Sequence, residues 1–328
     1  MSARAPRFLA ITGPTASGKT DLSLALAERV HAEIVSTDSR QVYRGMDVGT
    51  DKVGAEARAR VPHHGLDLVD PDESYSAGRF GRDVRRWVAE IEARGNLPLL
   101  VGGTGFFLRA VVDPIFREPP LERGRVGSLR TWLADQPRER LERWVRALDP
   151  ERAPLAIEGG PQRMGRTLEV ALLSGRPLSW WHRHAPPEAE GLPGVVVVLD
   201  LPREEMDRRI DERVTSMIER GLVEEVRGLL AAGYGPDAPG MTGTGYREIA
   251  AHLRGERTLE EAVEDIRRAT RQYARRQLTW FRNQLPASAV RVDATTPLDE
   301  QADVALAAYE AAGGRVPWRR TVNHEVGA

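Results

Sequence analysis

The sequence predicts an α/β fold: a parallel sheet flanked by helices, carrying an inserted all-helical domain. Three observations lead to this. Short apolar runs alternate with helical periodicity from residue 8 to residue 101, the pattern of a parallel sheet covered on both faces. From about residue 114 to residue 194 the strand-like runs vanish and arginine-rich helical periodicity replaces them. A run of valines at 195–198 then restores the strand signal.

In chain order, residues 8–11 form a first strand, residues 13–19 a glycine-containing turn, and residues 20–30 a helix with Leu22, Leu24, Ala25 and Leu26 on its buried side. Residues 32–36 give a second strand. A helix over 81–93 precedes the apolar run 97–101, which ends in Gly102-Gly103-Thr104-Gly105. Within the insertion Leu129, Leu133, Leu141, Trp144, Val145 and Leu148 recur at helical spacing. Residues 195–200 return as a central strand, followed by long helices over 204–220, 223–232 and 259–284 and a short strand over 289–292. This assigns the sheet and C-terminal helices to residues 1–114 and 195–313, and the helical insertion to 115–194. Residues 314–328 carry no periodic core pattern and are expected to be a loose tail.

Composition narrows the function. The chain has 328 residues, 41% of them hydrophobic, enough for two domains with ordinary cores. No stretch approaches the roughly 18 apolar residues of a membrane span, and the N-terminal apolar run is too short for a secretory signal. The expectation is a cytoplasmic protein with no membrane partner. The absence of cysteine excludes disulfides, thiol nucleophiles and Cys-ligated zinc. A net charge of −1 excludes a generic polyanion binder, so any nucleic-acid contact must come from local patches.

Gly13-Pro14-Thr15-Ala16-Ser17-Gly18-Lys19-Thr20 fits G-x-x-x-x-G-K-[ST], with a strand before it and a helix after it. This is a P-loop. The small residues Gly13, Thr15, Ala16, Ser17 and Gly18 let backbone N–H groups converge on phosphate oxygens at a helix N-terminus. Lys19 supplies a point charge, and Thr20 a hydroxyl ligand for Mg²⁺, which favours oxygen ligands and retains waters. The motif implies a di- or triphosphate without naming its owner. The strand over 97–101 lacks the aspartate that an ordinary ATPase carries at its end. Asp200 is the alternative, although an aspartate before Pro202 equally suits a helix cap.

Asp38 follows the second strand, whose C-terminal end shares a sheet edge with the phosphate turn, making it a candidate general base. An Asx-turn is its plainer role. Its neighbours Ser39, Arg40 and Gln41 form a larger polar cluster than one cap requires. His63 and His64, adjacent in extended chain, make a poor chelate, and His182 with His184 lacks a third ligand.

Six arginines lie between Arg267 and Arg282. On a helix Arg267, Arg271 and Arg275 share one face, expected to meet RNA phosphates, while Tyr273, Gln277 and Trp280 share another, expected to be a core stripe.

The P-loop, Asp38-Ser39-Arg40-Gln41-Val42-Tyr43-Arg44-Gly45-Met46-Asp47-Val48-Gly49-Thr50, the segment 70–78, Val101-Gly102-Gly103-Thr104-Gly105, the segment 162–170, Gly245-Tyr246-Arg247-Glu248 and the segment 271–281 occur in that order. Together they resemble the bacterial tRNA dimethylallyltransferases, also called tRNA isopentenyltransferases, from residue 8 to about residue 285. The resemblance implies transfer of a dimethylallyl group from dimethylallyl diphosphate to N6 of adenosine 37, beside the anticodon of tRNAs reading codons that begin with U. It further implies that the phosphate turn holds the leaving diphosphate, although the motif is commonly labelled ATP-binding. Asp38 would accept the N6 proton, Thr104 would sit by the reacting centre, and Lys19, Thr20 with Mg²⁺ and Arg213 would neutralise the diphosphate. Contacts to the tRNA anticodon stem-loop are implied for Asp38, Ser39, Arg40, Gln41, Gln162, Arg163, Met164, Gly165, Arg166, Gly245, Tyr246, Arg247 and Arg275.

Two positions depart from the family pattern. Phe107 replaces a tyrosine, so no RNA contact is assigned to it, and Thr244 replaces an aliphatic residue. No protein partner is evident, and a monomer is expected. Rival readings are a small-molecule or nucleotide kinase, a nucleotide-dependent RNA-binding switch without chemistry, and a transferase acting on free adenine or AMP.

Overall fold

The structure is a computed structural model and describes residues 4–114, 116, 117 and 119–318, with only the backbone of Arg123. It divides into two compact units, Met1–Asp113 with Gly191–Ala328, and Pro114–Glu190.

The first unit begins β1(Leu9–Thr12), α1(Lys19–Arg29), β2(Ala32–Ser36), α2(Ala55–Arg60), β3(His63–His64), α3(Ala77–Ala93), β4(Leu97–Val101) and α4(Gly105–Val112). The second unit holds α5(Arg123–Ala134), α6(Arg138–Leu148), α7(Ala153–Glu158), α8(Pro161–Ser174) and α9(Leu178–His184). The first unit resumes with β5(Val195–Asp200), α10(Arg203–Glu219), α11(Leu222–Ala231), α12(Tyr246–Leu253), α13(Leu259–Gln284), β6(Val290–Asp293) and α14(Leu298–Ala311).

Among the described residues six strands form one parallel sheet, in the order β3-β2-β4-β1-β5-β6. The central strands β1, β2 and β4 are buried along their whole length, β2 including Glu33, whose carboxylate is held by Arg94, Asn96 and His64. The strand order positions the chemistry. β4 lies between β1 and β2, so the glycine segment after β4 separates the phosphate turn from the residues after β2. On its other side β1 pairs with β5, which makes the end of β1 the point where connections diverge to opposite sides of the sheet, the place where α/β folds open a crevice.

Several elements are shorter or less periodic than sequence patterning can detect. β3 has two residues, α2 buries none of its side chains, and α4 and α12 have eight residues each. α3 starts at Ala77 rather than Gly81, because the Ser76 hydroxyl caps the helix by accepting the Arg79 amide.

The tail is not loose where it is described. His31 N donates to the Pro317 carbonyl at 2.8 Å, Val30 bridges Trp318 in antiparallel fashion, and Val316 is buried. The rest of the segment read as a tail, residues 319–328, lies outside the described residues.

The second unit closes around its own core of Leu133, Leu141, Val145, Ala153, Ala156, Met164 and Leu168, with Leu129, Trp144 and Ile157 packed against it. The Asp149 carboxylate is fully buried, accepts from the Arg152 and Ser179 amides, and so ties α7 and α9 to the end of α6.

Candidate active site

The phosphate turn follows directly from β1. At Gly13 a side chain is excluded, since a Cβ there would lie 2.9 Å from the Leu199 carbonyl oxygen and 2.8 Å from Ser17 Oγ. Gly18 adopts φ +85° as the N-cap of α1, and Ala16 holds φ +66°, a left-handed conformation costly for a residue with a side chain. Lys19 folds back over this turn. Its Nζ donates to the carbonyls of Gly13 at 3.1 Å and Pro14 at 2.6 Å and to Ser17 Oγ at 3.4 Å. Burial, reinforced by the nearby Arg213 guanidinium and only partly opposed by Asp38, lowers its ammonium to about 7. Thr20 follows on the exposed face.

Beyond β2, Asp38 Oδ1 accepts the Arg40 amide at 2.7 Å, which is the Asx-turn. Ser39 supplies the link to Thr104: its amide donates to Thr104 Oγ1 at 3.1 Å, and the Thr104 hydroxyl donates to Ser39 Oγ at 3.3 Å. The structure therefore brings Asp38 and Thr104 together across the ends of β2 and β4.

The glycine segment after β4 explains the missing aspartate. A Cβ on Gly102 would come within 2.6 Å of the Thr37 backbone, and one on Gly103 within 2.3 Å of Gln277 Nε2. Neither position has room for a carboxylate. Asp200 does not substitute for it, since both of its oxygens take Arg291 Nη1 at 2.9 Å.

Thr15–Thr20, Asp38, Gln41, Gly102, Gly103, Arg213, Arg220 and Gln277 line one cavity of about 900 Å³ in the first unit. At its wall Asp51 pairs with both Arg213 (3.4 Å) and Arg220 (2.6 Å).

The faces of α13 depart from the expectation. Arg271 binds both oxygens of Asp211, and Arg267 lies 3.9 Å from the same carboxylate and donates to Thr215 at 3.1 Å. Arg275 stands 4.0 Å from Asp207. Asp207 and Asp211, one turn apart on α10, thus face the arginines, and Arg267 and Arg271 pack on the protein while Arg275 stays half exposed. The face read as a core stripe turns towards the chemistry. Gln277 is 6% exposed and joins Thr15 to Gly103; Trp280 packs on Gly105. Tyr273, more than a third exposed, neighbours Asp38 and Thr104, and its phenol is pushed up to about 12 by burial and the Asp38 charge.

Other predicted contacts divide by accessibility. Met164 is fully buried in the core of the second unit, and Tyr246 is 1% exposed, with its hydroxyl on Glu225 at 2.6 Å. Gly-Tyr at 245–246 is therefore an internal brace: Gly245 is buried with its amide on Glu248. Gln41 is spent internally, accepting from Ser36 Oγ at 2.8 Å and donating to the carbonyls of Thr50 and Asp51. Arg40 donates to the Pro239 carbonyl at 2.8 Å. Gln162 and Arg163 are exposed on α8, Gly165 is half-buried, and Arg166 binds the buried Glu169 carboxylate. Arg247 is exposed beside Glu248, and Arg275 is half exposed. Phe107 is buried and stacked on Phe80.

Sequence reasoning missed Gln277, Tyr273, Arg220 and Asp51. Helical spacing grouped the first two correctly but assigned them to the core, and nothing local marks the other pair.

A parallel sheet with a glycine-rich turn of P-loop spacing at the switch point defines an α/β protein of the class whose turn is shaped to suit phosphate groups. The comparisons are more specific. The family model for IPP transferase matches residues 41–284, and that for isopentenyl transferase matches residues 6–59. The chain belongs to the tRNA dimethylallyltransferase family. It is 47% identical to a tRNA dimethylallyltransferase of Geobacter metallireducens, with 84% of this chain and 89% of that protein covered. It is 44% identical to the enzyme of the same name from Anaeromyxobacter dehalogenans, covering 85% and 92%. The crystal structure of the tRNA isopentenylpyrophosphate transferase of Bacillus halodurans superposes with TM-score 0.67 at 34% identity, over 93% of this chain and 97% of that one. A eukaryotic dimethylallyltransferase acting on tRNA superposes with TM-score 0.78 at 25% identity, over 96% and 82%.

Proposed function

We propose that this protein transfers the dimethylallyl group of dimethylallyl diphosphate to N6 of adenosine 37 in tRNAs reading codons that begin with U. The observation that carries this reading is the Ser39 bridge, which holds Thr104 next to Asp38, itself on the wall of the cavity that contains the phosphate turn. In the reaction N6 attacks C1 of the dimethylallyl group, the C1–oxygen bond breaks, diphosphate leaves, and the N6 proton passes to the Asp38 carboxylate. An exocyclic adenine amine is a poor nucleophile, so positioning, proton removal and neutralisation of the leaving group supply most of the rate. Lys19, Arg213 and Arg220 supply the positive charge.

Mg²⁺ fits the donor set in one way. Among the described residues no cluster of three or more His, Asp or Glu could hold a metal ion, so these residues build no closed cage. The Thr20 hydroxyl on the cavity wall would hold Mg²⁺ together with waters and phosphate oxygens, and the ion would offset charge on the departing diphosphate. Exposed Gln162, Arg163, Arg247 and Arg275 are the side chains suited to RNA. Among the described residues no helix is long and apolar enough to cross a membrane. We read the protein as a cytoplasmic monomer.

The test is incubation with labelled dimethylallyl diphosphate and an unmodified anticodon stem-loop, with ATP in a parallel reaction. Label at adenosine 37 supports the reading. Phosphoryl transfer from ATP without prenyl transfer would establish the kinase alternative.

A further inference from the structure

Gln277 lies on α13, far from both reacting segments in sequence, yet its amide touches each. Oε1 accepts the Thr15 backbone N–H at 2.9 Å and the Thr15 hydroxyl at 3.2 Å. Nε2 donates to the Gly103 carbonyl at 2.8 Å. Thr15 belongs to the phosphate turn, and Gly103 immediately precedes Thr104. The amide is nearly enclosed, so water competes poorly for these bonds. The approach is close: a single Cβ on Gly103 would occupy the space of Nε2, which accounts for glycine at that position independently of any need for unusual backbone angles.

We propose that Gln277 is a positioning residue that fixes the phosphate turn and the Gly103–Thr104 segment in one register, so that the leaving group and the attacking amine are aligned. First, Thr15 donates its amide to Gln277 rather than into the cavity, so this contact shapes the turn without contacting phosphate. Second, the same side chain fixes the residue before Thr104, and Thr104 in turn holds Ser39 beside Asp38. Third, neither contact duplicates the sheet: the β1–β4 register runs from Leu9 opposite Leu99 to Ile11 opposite Val101, the last ties between the two segments are Gly102 N to the Ile11 carbonyl and Thr12 Oγ1 to the Gly102 carbonyl, and Thr15 and Gly103 both lie beyond them. Rigid alignment of two reactants lowers the barrier without requiring tighter binding of either, and small misplacements cost rates of tenfold to a hundredfold.

The proposal rests on the transfer reading above, and its test separates the two. Gln277→Met keeps the shape and removes both hydrogen-bonding functions. Gln277→Leu removes the same two functions with a shorter uncharged side chain, so it carries the same test if the methionine variant does not fold. In the first arm, single-turnover transfer is measured at saturating dimethylallyl diphosphate and stem-loop, with site concentration counted by calorimetric titration of inorganic diphosphate. The expected result is a loss on the order of tenfold to a hundredfold per titrated site, with diphosphate and stem-loop affinities within about threefold of wild type. A rate within twofold of wild type, or a loss fully recovered by more donor, overturns the proposal.

In the second arm, hydrogen exchange is followed with inorganic diphosphate and no RNA. Wild type should gain protection both at residues 13–20 and at residues 102–108, and the variants only at 13–20. Protection of both segments in the variants overturns the proposal. If wild type transfers no prenyl group, the transfer reading fails while this arm still decides the role of Gln277.

Discussion

Lys19 makes diphosphate binding pH-dependent in a calculable way. Without ligand its ammonium is lowered to about 7 by burial and by Arg213. A bound diphosphate places negative charge against Nζ and restores the protonated form. At pH 8 a group of pKa about 7 is roughly one-tenth protonated, so binding should take up about 0.9 proton, falling to about 0.1 at pH 6. The sign follows from the ligand-bound state holding more protons than the free state. Affinity is therefore greatest below pH 7 and, as far as Lys19 is concerned, falls by about tenfold per pH unit above it. Calorimetry of inorganic diphosphate in buffers of differing ionisation enthalpy measures the uptake directly. Lys19→Arg provides the reference, because its guanidinium stays charged throughout and the protons of diphosphate itself are common to both proteins. Equal proton uptake by wild type and Lys19→Arg at pH 8 would refute the reasoning, since Lys19 would then already be charged in the free protein.

Asp38→Ala should lower single-turnover transfer by about a hundredfold or more while leaving stem-loop affinity unchanged; near-normal turnover removes Asp38 as the base. Tyr246→Phe removes the hydroxyl bound to Glu225, whose carboxylate also holds the amides of Asp47, Val48 and Gly49. It should cost about 1–2 kcal/mol and lower the melting temperature by about 2–6 °C in a thermal melt. Arg163→Ala should flatten the salt dependence of stem-loop binding by a little under one unit at an unchanged melting temperature. Arg271→Ala, which strips both Asp211 oxygens of the Arg271 Nη2 donor, should instead lower the melting temperature and leave the salt slope alone. An anisotropy titration over a salt series separates the two variants.

The phosphate turn was legible because all its determinants are local. Glycines at 13 and 18, a lysine and a threonine at set spacing, and an apolar run on one side with helical periodicity on the other suffice to define a strand, turn and helix. Asp38 was legible for a related reason, since the end of a parallel strand must open on the same sheet edge as the end of its neighbours. The faces of α13 were not. Periodicity shows that Arg267, Arg271 and Arg275 share a side, but whether that side meets RNA or protein depends on Asp207 and Asp211 of α10, some sixty residues away in sequence.

Tyr246 and Met164 teach the same point from the opposite direction. Each sits in a segment that carries the family resemblance, yet each side chain is buried, one hydrogen-bonded to Glu225 and the other packed in the core of the second unit. A matching segment identifies a shared structure without saying which of its residues face outward.

The sequence by itself determined the fold class, the phosphate turn, the helical insertion and the family, because each is encoded in contiguous spacing. Only the tertiary structure decided the strand order that puts Gly102 and Gly103 between the phosphate turn and Asp38, the pairing of α13 arginines with α10, and the reach of Gln277 to both Thr15 and Gly103. These depend on contacts between residues distant in the chain. Hydrogen-bond geometry selects such partners only once packing has brought them within about 3 Å, and no local pattern records that choice.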